Sequence, residues 1–110
     1  METTIYHIVQ PEWWETFANK DYYESETLSE EKFIHLSTLE QVNGTLANFF
    51  KGSTRLFLLH LSVEKLESEL IFEDLYNHGS MYPHLYGRLN KSAVLRVEEL
   101  LADADGVLKV

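Results

Sequence analysis

The stretch Arg55-Leu56-Phe57-Leu58-Leu59-His60-Leu61 carries apolar side chains at nearly every position, not at alternate ones. Side chains on a strand point alternately to opposite faces, so this segment reads as a strand that must be covered on both sides. A chain of 110 residues has room for one such layered core, and a single domain over residues 1–110 is expected. With 45% hydrophobic residues, among them 6 Tyr, 6 Phe and 2 Trp, it has enough apolar surface to pack, unlike an acidic disordered tail.

Other elements arrange themselves around that strand. Thr4-Ile5-Tyr6-His7-Ile8-Val9 is β-branched and aromatic, a first strand. Pro11 suits the first turn of a short helix that gathers Trp13, Trp14, Phe17 and Ala18 on one side. Asp21 to Leu28 reads as a short edge strand or loop, and Phe33-Ile34-His35-Leu36 as a second strand. Ser37 stands three residues before Glu40, a capping-box spacing. Leu39, Val42, Leu46, Phe49 and Phe50 then recur at helical intervals, with Gly52 in the place of a C-terminal cap. Ser62 to Leu66 suggests a helical turn or a tight connection, Glu69 to Glu73 a strand, and Asp74 to Pro83 a loop. His84 to Leu89 and Ala93 to Glu98 close the chain as extended segments. Six or so strands with two main helices, not in regular alternation, give an α+β domain.

Several function classes fall away. With no cysteine there is no disulfide, thiolate nucleophile or cysteine-based metal site. No apolar run approaches the roughly 20 residues that span a bilayer, and Met1-Glu2-Thr3-Thr4 lacks the basic start of a signal peptide, so cytoplasm is the default. Nine Lys and Arg against 18 Asp and Glu leave a net charge of −9. No basic cluster offers itself to phosphates, which disfavours direct nucleic-acid binding while leaving room for a nucleotide-sized anion. No Gly-x-Gly-x-x-Gly, P-loop lysine or Gly-x-Ser-x-Gly occurs.

Chemistry rests on five histidines: His7, His35, His60, His78 and His84. Alternation puts His7 on one face with Ile5 and Val9. If Ile34 and Leu36 enter the core, His35 and Ser37 face a cleft or second layer. His60, inside the most apolar strand, reads as structural. His78 and His84, near Glu73 and Asp74, are metal-ligand candidates, but without compact zinc spacing no metal is expected. The His35-Leu36-Ser37-Thr38 run brings an imidazole and two hydroxyls to a helix N-terminus, where an anion or a ribose is accommodated. Tyr82-Pro83-His84-Leu85-Tyr86-Gly87 has the aromatic and polar content of a small-molecule pocket, with His84 and Tyr86 as binding candidates. The carboxylates of Glu24-Ser25-Glu26, Ser29-Glu30-Glu31 and Glu98-Glu99 read as solvated faces.

Tyr6-His7-Ile8, the run Lys32-Phe33-Ile34-His35-Leu36-Ser37-Thr38 with Glu40-Gln41 and Gly44-Thr45-Leu46, and Pro83-His84-Leu85-Tyr86-Gly87 together resemble the domain of unknown function 952 family, from Ile5 to Val97. That bacterial-type family resembles a trimmed ADP-ribosyltransferase fold, a split β-sheet core with two main helices. It is most similar to the branch containing RNA 2′-phosphotransferases. The resemblance implies that His7 meets a ribose hydroxyl of NAD and that His35 lies beside the nicotinamide ribose with Ser37 close by. It offers no motif for the glutamate that transferases usually carry; Glu73, Asp74 and Glu98 are candidates by chain order alone. The expectation is NAD or a related nucleotide bound between catalytic His7 and His35 and ligand-binding Ser37, Thr38, His84 and Tyr86. ADP-ribosyl or phosphoryl transfer to a small-molecule or protein acceptor would follow, the acidic surface arguing against RNA. The alternative is a non-catalytic ligand- or protein-binding module on the same fold.

Overall fold

The apolar run at 55–62 becomes the middle strand of an antiparallel sheet, and its side chains divide between two cores. In chain order the elements are β1 (Thr4–Val9), α1 (Pro11–Glu15), β2 (Tyr22–Tyr23), α2 (Leu28–Glu31), β3 (Ile34–His35), α3 (Leu39–Phe49), β4 (Arg55–Ser62), β5 (Glu69–Glu73), β6 (Tyr82–Tyr86), β7 (Leu89–Asn90) and β8 (Val94–Leu101), with single 3₁₀ turns at Val63–Lys65 and Lys91–Ala93. This computed structural model describes residues 3–77 and 79–110.

The first sheet runs β1-β4-β8, a second β3-β6-β5, and β2 pairs with β7 in a two-residue ladder, all antiparallel. Leu56 and Leu58 face α3, where they pack with Val42, Leu46, Tyr6 and Ile8. Leu59 and Leu61 face the other way, against Ile5, Val9, Tyr23, Ile34, Leu36 and Leu85. Each of these four leucines is fully buried, a contribution of about 1.5–3 kcal/mol apiece. The chain is thus α+β, with the double cover that the apolar run demands.

The two three-stranded sheets meet at one point. Tyr6 and Ser37 exchange backbone hydrogen bonds at 2.8 Å in both directions, so the chain leaving β3 crosses onto β1. Leu36 N–H donates to the Pro83 carbonyl at 3.0 Å on the other side. Beyond this joint the sheets separate and leave a cleft.

Three expectations are corrected. Ser37 does not cap α3: its backbone is held extended by Tyr6, so the cap moves to Thr38, whose N–H donates to the Oε1 of the returning Gln41 side chain at 3.0 Å. Gly52 does not end the helix, which closes at Phe50 through a bond to the Leu46 carbonyl; Gly52, at φ +91°, serves the turn that follows. The second strand is formally paired over Ile34–His35 only: Leu36 still bonds to Pro83 of β6, and Ser37 has passed to Tyr6 of β1. The further elements, β2, β7 and α2, are each four residues or shorter, too brief for a periodic pattern. No helix among the described residues is long and apolar enough to cross a membrane.

Candidate functional site

Between the diverging sheets lies a cleft of about 550 Å³, within the size range of small-molecule sites. Its floor comes from the end of β1 and from residues 35–37; its sides come from Trp13, the segment 23–27, the last turn of α3, Tyr76 and Tyr82. His7, His35 and His84, delivered by β1, β3 and β6, all line it, as does Ser37.

His7 is buried, and both of its ring nitrogens are engaged. Nδ1–H donates to the His35 carbonyl at 2.8 Å, which leaves Nε2 to accept the Tyr23 hydroxyl at 2.8 Å. Burial, only partly offset by the bond to the His35 carbonyl, pushes its pKa down to about 4, so the ring is neutral at physiological pH. Burial likewise raises the Tyr23 hydroxyl above its usual range, keeping it a donor. His7 therefore acts as a fixed wall of the cleft that positions the β3 backbone.

His35 is half exposed, and its Nε2–H donates to both carboxylate oxygens of Glu31 at 3.0 Å. The same carboxylate accepts the Tyr76 hydroxyl at 3.0 Å. Burial works against the Glu31 charge, but hydrogen bonds from Thr27, His35 and Tyr76 outweigh it and hold the carboxyl below its ordinary range.

His84 is buried and lines the cleft. Nδ1–H donates to Glu73 at 2.8 Å, and Glu73 also accepts a close hydrogen bond from Tyr86. These two bonds, Tyr86 first, hold the Glu73 carboxyl low. The ring stacks on Phe33 with centroids 4.1 Å apart, which fixes its plane. Nε2 is left as the atom available to a ligand. A carboxylate behind one nitrogen and an open second nitrogen is the arrangement that orients a histidine as general base.

Two expected ligand residues, Thr38 and Tyr86, do not line the cleft. Thr38 caps α3 and Tyr86 stands behind His84, acting through Glu73. The Ser37 hydroxyl pairs with Thr45 at 3.2 Å, and the amides of Ser37 and Thr38 are already used within the protein. Of the carboxylates considered by chain order, Glu98 belongs to His60 at 2.9 Å, and Asp74 accepts the Gly79 amide at 2.8 Å. The carboxylates lining the cleft are Glu26 and Glu31, both inside stretches read as solvated faces. The i,i+4 spacing of Glu31 and His35 was the available signal, masked because it spans a helix end and a strand. Tyr23, Tyr76 and Trp13 had no local pattern to reveal them.

Among the described residues no group of three or more His, Asp or Glu side chains is arranged to hold a metal ion. His78, the other half of the expected His78–His84 pair, lies outside the described residues. A smaller hollow of about 240 Å³ beside Asn90 and Lys91 contains no histidine.

The protein CC0527 from Caulobacter crescentus has a similar structure by X-ray crystallography, with a TM-score of 0.86 and 37% identity over 97% of this chain and 94% of that one. Its solution NMR structure matches at TM-score 0.80 and 37% identity, over 94% and 90%. No match is found among functionally curated proteins. The family model described as "Protein of unknown function (DUF952)" matches residues 8–97, a span that carries His35 and His84 and begins one residue after His7, and the chain belongs to that family.

Proposed function

We propose that this domain is a trimmed ADP-ribosyltransferase-like fold whose cleft binds NAD or a related nucleotide and transfers its ADP-ribosyl group to a small-molecule or protein acceptor. The observation that carries the reading is the convergence of His7, His35 and His84 on one aromatic cleft that also holds the Glu31 carboxylate. The residues suit the nucleoside part of such a substrate: Trp13 and Tyr76 offer ring faces, and His35 and Ser37 offer polar groups to a ribose.

When the ribosyl–nicotinamide bond breaks, its electron pair leaves with nicotinamide and positive charge develops on the ribosyl carbon. Glu31, held ionised, stabilises that charge. The acceptor attacks the same carbon and passes its proton to the open Nε2 of His84, whose Nδ1–H stays on Glu73. Phosphoryl transfer is less suited, because no Lys or Arg among the described residues lines the cleft to neutralise a phosphoryl group. One observation favours the non-catalytic module as a second reading: both oxygens of Glu31 already accept hydrogen bonds from the protein.

Calorimetric titration with NAD, paired with a nicotinamide-release assay, tests the proposal. Wild type should bind and release nicotinamide, His35→Ala should bind weakly, and Glu31→Gln should bind but release little. Binding by wild type without release would support the module. No binding would overturn both nucleotide readings.

A further inference from the structure

We infer that the cleft selects a cationic, phosphate-free nucleoside, an N-ribosylated pyridinium, over ligands that must place phosphates inside it. The inference rests on the reading above that the cleft takes a nicotinamide-bearing donor and departs from it on which donor: the nucleoside replaces NAD, so ribosyl and not ADP-ribosyl is the group transferred. Its ground is the charge of the walls. No Lys or Arg among the described residues lines the cleft, whereas Glu26 and Glu31 do. Lys32, next in the chain to the lining residue Glu31, is committed elsewhere: its amine donates to the Ser29 carbonyl at 2.8 Å.

The usual substitutes for a cation are missing as well. His7 is neutral, with both nitrogens engaged, and His35 and His84 each already face a carboxylate. The backbone amides of Ser37 and Thr38, at the start of α3, donate to Tyr6 and Gln41 and so are turned away from any anion. A phosphate entering here would meet two carboxylates without a counter-charge, in the field of a chain of net charge −9. A pyridinium ring meets the opposite conditions. Trp13, Tyr76 and Tyr82 bring to the lining π-systems that attract a cation, and the two glutamates add to that attraction.

The test is calorimetric titration at low salt with nicotinamide riboside, nicotinamide mononucleotide and NAD. The riboside should bind at least about tenfold more tightly than either phosphorylated ligand, a difference of about 1.4 kcal/mol. That ratio should shrink in high salt and in Glu26→Gln, a substitution at an exposed position that leaves the core untouched. Binding of NAD as tight as, or tighter than, the riboside would overturn this inference while leaving the nucleotide reading intact. Absence of binding by all three would overturn both.

Discussion

His35 and His84 stand directly opposite each other across the β3–β6 pair, with ring centroids 5.4 Å apart, and each is held by its own carboxylate. The anchors grip different nitrogens: Glu31 takes Nε2 of His35, and Glu73 takes Nδ1 of His84. Two imidazoles at one register position thus present different faces to the same cleft. Phe33 reinforces the difference by stacking on His84 and meeting His35 edge-on.

This arrangement predicts a tautomer pattern. Carbonyl and carboxylate oxygens only accept, so His7 and His84 must carry their proton on Nδ1, while His35 and His60 carry theirs on Nε2. Nitrogen-15 NMR at a pH where the rings are neutral should show two Nδ1–H and two Nε2–H rings among these four. An Nε2–H ring at His84 would remove the open base from the cleft.

The Tyr23 hydroxyl has one structural duty, donation to Nε2 of His7 inside the core. Tyr23→Phe keeps the ring packing against Trp14 and Phe17 and removes only that donor. The buried acceptor is then unpaired, at a cost of about 1–3 kcal/mol in urea denaturation. A change well under 0.5 kcal/mol, on the same scale of about 1 kcal/mol per bond, would show that Nε2 finds another partner.

What the sequence made legible and what it hid divide on physical lines. Long segments with a clear period were readable: β1 and β5 have the expected bounds, and β4 is covered on both faces as its continuous apolar run requires. Alternation also placed Ile34 and Leu36 in the core and His35 and Ser37 on the cleft. The cap on α3 was misread by one residue because a long-range bridge to Tyr6 occupies Ser37, a contact that no local spacing encodes. Glu31 is hidden differently, inside an acidic stretch at a helix end four residues before His35, whereas Glu73 is a candidate by chain order whose partner the sequence does not reveal. Charged residues in acidic stretches look solvated until a histidine from another strand arrives, and Glu73 meets His84 only through the β5–β6 pairing.

Gly87 offers a steric prediction at the end of β6. Its φ of +148° is strained for a side chain, and an added Cβ would lie 2.5 Å from the Ser68 hydroxyl. Ser68 cannot swing aside freely, because that hydroxyl donates to the Arg88 carbonyl at 2.7 Å. Gly87→Ala should therefore destabilise by about 1–3 kcal/mol. The double variant with Ser68→Ala should lose less than the sum of the single losses, a coupling on the order of 0.5 kcal/mol or more. Strict additivity in thermal melts would show that the clash is relieved elsewhere.

The sharpest pH dependence should come from His7. Its folded pKa, near 4, lies below the ordinary 6.5 because burial disfavours the charged ring. As pH falls through 6.5 the unfolded chain takes up a proton that the folded chain refuses, so stability declines with falling pH until the folded ring also protonates near 4. At about 1.4 kcal/mol per unit, the loss is on the order of 3 kcal/mol over that window. Glu31 and Glu73 act lower on the scale. Their depressed carboxyls stabilise the fold above the ordinary 4.5, and that contribution drains away as pH falls further. His7→Asn separates the two ranges, since its amide retains a donor for the His35 carbonyl and has no proton to titrate. Urea denaturation from about pH 7.5 to pH 4 should give a steep loss in wild type and a much shallower one in the variant. Equal slopes would assign the acid lability to groups other than His7.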